Sequence, residues 1–179
     1  MRKKLLIINC IMLVFIILVY KFSEYILRVN NLTFLKSINT IFGVTFTVLL
    51  FSFLIQIIIF IYYFTKRSTI ITTSISLIVG GGMVVYLWLG LLSYGFDGQE
   101  HFVEKDGKKM VARVNSFMKV YVEYYDYINP LVRGNKIKIE EDYGRGGYDP
   151  FESVEKITPK KITYYDDNGD AIKNLTIEK

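Results

Sequence analysis

Two stretches of this chain, Thr40–Phe64 and Thr69–Phe96, contain no charged residue at all. Each is longer than the about 20 apolar residues that a bilayer core requires, so both read as membrane-spanning helices. A shorter apolar run, Leu5–Tyr20, lies between Met1-Arg2-Lys3-Lys4 and Lys21-Phe22-Ser23-Glu24. At 1.5 Å per residue such a run reaches only about 24 Å, so the helix is expected to continue towards Leu27 with Lys21 snorkelling to the surface. The run also has the look of a secretory signal, but no small-residue cleavage site follows it, which makes it an uncleaved signal anchor. The expected first domain is therefore residues 1–96, with helices over about 5–22, 40–64 and 69–96, embedded in a lipid bilayer.

Charge is divided as sharply as hydropathy. The first 96 residues hold eight Lys/Arg and one acid, Glu24, whereas residues 97–179 hold 14 Lys/Arg and 16 Asp/Glu. The basic balance of the chain thus flanks apolar helices and forms no polar basic surface, which excludes nucleic acid as a partner. A single cysteine, Cys10, permits neither an internal disulfide nor a thiolate cluster, and Asn9 before it does not suit a lipoprotein site. The one histidine, His101, has no evident partner in sequence. No metal and no cofactor are expected.

Only Thr65-Lys66-Arg67-Ser68 separate the two uncharged runs, so these must form an antiparallel hairpin in which residues whose numbers add to about 133 share a depth. Gln56 then lies level with Leu77, and the neighbouring Ser76 hydroxyl is its expected partner. Thr45, Ser52 and Gln56 are spaced as one helix stripe, and Thr72, Ser76 and Gly80 as another. Small and hydroxylated residues at such spacing favour close helix packing, so Gln56, Thr72, Ser76 and Gly80 are assigned to packing. A substrate path is the alternative, but the uncharged runs carry no intramembrane acid or base. Gly80-Gly81-Gly82 reads as a smooth packing face, with a hinge as the alternative.

The Lys and Arg residues put the amino terminus in the cytoplasm, with Arg2, Lys3, Lys4, Lys66 and Arg67 inside; Lys105, Lys108 and Lys109 weigh the other way. The carboxyl domain is accordingly expected outside the cytoplasm of a cell membrane, and the Ile, Lys, Asn and Tyr bias fits a bacterial protein.

Residues 97–179 change pattern to short alternating runs, which predicts a small all-β antiparallel domain of five or six strands, a meander or small barrel. Asp106-Gly107 and Asn168-Gly169 have the composition of hairpin turns within His101–Val114 and Lys161–Glu178. Phe117–Ile128 and Lys136–Glu140 supply further strands, with Asn129-Pro130 and Gly144–Pro150 as irregular connections.

No catalytic constellation emerges. Asp166, Asn168 and Asp170 begin like a calcium loop, but Ala171 and Ile177 stand where glycine and glutamate are required, leaving a turn. Glu123, Asp126, Glu140, Glu141 and Asp142 read as a mixed-charge surface. The glycine-rich stretch Tyr143–Pro150 lacks the Lys-Ser/Thr of a phosphate loop, but it presents Arg145 between Tyr143 and Tyr148, residue types that anchor interfaces. These three are the candidate binding residues, within a surface set that also includes Tyr121, Tyr125 and Tyr127. The expectation is a non-enzymatic, membrane-anchored accessory or binding protein that presents its β-domain to a protein partner, an immunity-type role being one form. The alternative is a small transporter, channel subunit or membrane sensor whose helices carry the function.

Overall fold

In the computed structural model, which describes residues 2–64, 69–96, 98–153 and 157–177, three long apolar helices are followed by an antiparallel sheet. Helix α1 spans Arg2–Val29, α2 Lys36–Phe64 and α3 Thr69–Phe96. Strand β1, Leu32–Phe34, lies between the first two helices. After α3 come β2 (Gln99–Lys105), β3 (Lys108–Asn115), β4 (Lys119–Asn129), β5 (Val132–Arg145), β6 (Lys161–Tyr165) and β7 (Ala171–Thr176). The expected turn at residues 65–68 lies outside the described residues.

The chain divides into two compact units, one of Met1–Ser23 with Asn39–Tyr94, the other of Glu24–Ile38 with Gly95–Lys179. The last turns of α1, β1 and the first turn of α2 therefore belong with the sheet.

In the helical unit, the hairpin register holds where it can be read: the Thr47 and Tyr86 hydroxyls, at positions that add to 133, lie 3.3 Å apart, and Phe51 meets the Tyr86 ring edge-on. The polar partners differ from those expected. Gln56 donates to Ser52 on its own helix (3.4 Å) and not to Ser76, and Ser52 also accepts from Asn9 of α1 (3.0 Å). Gln56 Oε1 is buried without a partner. Thr45 is exposed and spends its hydroxyl on the Ile41 carbonyl, a local bond always within reach on a helix, so it is not in the packing stripe. Thr72, Ser76 and Gly80 do share the half-buried face of α3. A Cβ placed on Gly80, Gly81 or Gly82 would meet nothing within 4 Å, so among the described residues no helix uses these glycines for close approach.

In the sheet unit, β2 to β7 follow one another as a meander, and β1 pairs with β5 off that path. Asp106 and Gly107 both have positive φ (52° and 74°), the geometry that a two-residue hairpin needs to match the twist of its strands. Asn129, expected to start an irregular connection, caps a tight β4–β5 turn: its Oδ1 accepts the Leu131 and Val132 amides. Alternation then assigns the core. Met110, Ala112 and Val114 of β3, Val120, Val122 and Tyr124 of β4, and Ile139 and Tyr143 of β5 share one buried face, against which Tyr148 and Ile157 of the β5–β6 connection pack. A fully buried Val contributes at least about 1.5 kcal/mol, so this row is the main source of the domain's stability. The 14-residue β5 is long enough to pair β1 with its first residues and β6 with its later ones, and its ladder with β4 carries several register shifts.

Candidate functional site

β5 ends at the glycine-rich stretch, and its alternation places Ile139, Glu141 and Tyr143 on the core face. Glu141 is almost fully enclosed, with Oε1 accepting from Lys105 Nζ (2.5 Å) and Oε2 from the Tyr124 (2.6 Å) and Tyr143 (2.8 Å) hydroxyls. A carboxylate in this position is tolerable only because each oxygen has a donor. The Lys105 ammonium also lies 5.1 Å from the Tyr124 ring centroid. Burial, reinforced by the adjacent Glu141 carboxylate, pushes the Tyr124 and Tyr143 phenols well above their ordinary range.

Above this network the connection folds back over the core face. Gly146 has φ +153°, and a Cβ there would stand 2.3 Å from the Tyr148 ring, so the ring lies where only glycine leaves space. Asp149 then starts a turn, its Oδ1 accepting the Phe151 amide and its carbonyl the Glu152 and Ser153 amides. Its Oδ2 meets His101 Nε2 of β2 at 2.7 Å, and Phe151 lies against the imidazole. His101, Asp149 and Glu152 each bring a ligand atom within 4.8 Å of the others. That donor set has the chemistry to hold a divalent ion, but Asp149 already has both oxygens engaged in the turn and the clasp.

The candidate binding residues are thus separated by burial. Arg145 is exposed at the end of β5, Tyr148 is half-buried, and Tyr143 is buried with its hydroxyl on Glu141. Tyr143, expected at the surface, faces the core because the strand period carries it there, and Tyr125, also expected at the surface, lies on the opposite face but is buried beneath the Arg133 guanidinium. Sequence spacing did not reveal His101's partners, 48 residues downstream.

The opposite face carries a second charged group. Arg133 donates to Glu100 Oε1 (2.9 Å), both side chains being largely buried, and its guanidinium lies 3.8 Å from the Tyr125 ring centroid. Glu100 Oε2 accepts the backbone amide of Lys36 (2.6 Å), the first residue of α2, so a sheet carboxylate caps that helix. Burial and the nearby Glu123 carboxylate raise the Tyr125 phenol to about 12. On the same face Glu123 and Glu140 are cross-strand partners, each accepting a tyrosine hydroxyl, from Tyr125 and Tyr165. At the far hairpin, Asp166 Oδ1 accepts the Asn168 and Asp170 amides, the work of a turn residue.

Compared with protein-family models, curated proteins and solved structures, the chain matches none.

Proposed function

We propose that this protein is a membrane-anchored binding protein whose sheet, on the extracytoplasmic side, presents the connection from Arg145 to Ser153 to a protein partner. One observation carries the reading: the connection is fastened to the core face by the His101–Asp149 contact and by Tyr148, while Arg145 and Phe151 remain exposed. A pinned loop loses little conformational freedom on binding, and an exposed Arg beside aromatic rings is the composition of an interface anchor. Tyr143 contributes by packing beneath the loop.

The test is in-cell photo-crosslinking from position 145, with position 173 on β7 as the comparison. A partner captured at 145 and lost in a Tyr148→Ala variant supports the reading. Equal yield at both positions, with an Arg145→Ala strain indistinguishable from wild type, would sink it.

The second reading, that the helices act, is favoured by the unpartnered Gln56 Oε1 at membrane depth. If Gln56→Leu abolishes the phenotype while Arg145→Ala leaves it intact, the helices and not the loop carry the function.

A further inference from the structure

Within the helical unit, the first two helices share a long face. The Asn9 amide donates to Ser52 and the Tyr20 hydroxyl to Asn39 Oδ1 (3.2 Å), so α1 and α2 run antiparallel side by side. Counting back from Tyr20 and Asn39 along the two helices sets Ile17 level with Phe42, and Ile16 with Gly43. Positions 16, 17, 20 and 21 of α1, and 39, 42, 43 and 46 of α2, each have the spacing of one helix face. A glycine opposite an isoleucine leaves a gap. A Cβ on Gly43 would meet nothing within 4 Å, and the space between the two faces is a crevice of about 240 Å³.

The crevice is polar at one end only. Tyr20 closes the apolar run of α1 and Asn39 stands just before the uncharged run of α2, so this end lies at the membrane surface when the two helices span a bilayer. Its lining there is Tyr20, Lys21 and Asn39. With Oδ1 taken by Tyr20, the Asn39 amide still offers its N–H groups, and the Lys21 ammonium lies 5.6 Å from the Tyr20 ring centroid. Both side chains bring donors, and no acid is among the described residues that line the crevice. Towards the membrane interior the lining turns to Ile16, Ile17, Phe42 and Phe46, with the Phe42 and Tyr20 ring centroids 5.0 Å apart. Donors at the mouth of an apolar slot match a phosphate carried on an acyl chain, and basic pockets between membrane helices hold such headgroups.

We propose that this crevice is a binding site for an anionic phospholipid, its phosphate at Lys21 and Asn39 and one acyl chain lying over Gly43 between Ile17 and Phe46. A zwitterionic lipid brings its own cation to the mouth, where it competes with Lys21 for the phosphate; a net negative headgroup is therefore preferred. The proposal rests on α1 and α2 crossing the membrane and is independent of any protein partner of the sheet.

The test is native mass spectrometry of the full chain, released from detergent after incubation with equal amounts of phosphatidylglycerol and phosphatidylcholine of the same acyl chains. The expected result is that phosphatidylglycerol is retained in excess and that Lys21→Gln lowers the excess about fivefold. Gly43→Leu puts a side chain into open space and replaces glycine by a better helix former, so it fills the crevice without disturbing the helix. It should reduce phosphatidylglycerol retention at least as far, whereas Gly90→Leu, at a glycine of α3 with equally open surroundings, should leave it unchanged. Equal retention of the two lipids overturns the proposal. So does an excess that survives Gly43→Leu, which would make Lys21 a surface charge with no seat beneath it, and so does a loss that Gly90→Leu reproduces.

Discussion

Glu141 is the residue whose replacement has the clearest consequence, since it answers one ammonium and two phenols at once. Glu141→Ala leaves Lys105 and both hydroxyls beside a void, and is expected to cost about 3 kcal/mol, read as a lowered unfolding temperature of the sheet's infrared signal in detergent. Raising the pH acts on the same groups. Unfolded tyrosines titrate near pH 10, whereas Tyr124, Tyr125 and Tyr143 titrate higher in the fold. Their neutral forms contribute fully below pH 10, and the contribution is lost as pH rises towards the folded value, by about 1.4 kcal/mol per unit for each phenol. Stability at pH 11 should therefore fall below that at pH 9, and Tyr124→Phe should flatten the decline. A slope unchanged by that substitution would remove Tyr124 from the account. The sequence reading that placed Glu141 on a mixed-charge surface is overturned, because it shares one strand phase with Ile139 and Tyr143, and that phase faces the core.

Among the elements, the three helices were legible because unbroken apolar length is a local property, and the Asp106-Gly107 turn because its two residues alone favour positive φ. β1 was not. Leu32-Thr33-Phe34 is too short to show a period, and its partner stands about a hundred residues later. The loop at 144–153 was visible as glycine-rich, but the clasp that fastens it joins residues with no sequence relation. Two predictions belong at this scale. Glu100→Ala uncaps α2 and strands Arg133, so amide exchange at Leu35, Lys36 and residues 132–134 should accelerate while the β6–β7 hairpin stays protected. Gln56→Leu removes an orphan acceptor from the helical unit and should stabilise it, by about 1 kcal/mol, in thermal inactivation or aggregation assays in detergent.

For the molecule as a whole, orientation decides which partners can be met. In a Cys10→Ala background, a cysteine at the exposed position Lys173 should react with a membrane-impermeant maleimide in intact cells. Protection until lysis would place the sheet in the cytoplasm and redirect the search to intracellular partners. The union of β1 with β5 also has a bearing on how the chain is made. At about 5 to 20 residues per second, a ribosome needs several seconds between synthesising β1 and completing the strand that will receive it. During that interval β1 exists without the strand that pairs with it. A nascent chain that stops before Val132 has made all three helices and still leaves β1 open; translation of the sheet is what closes the first loop.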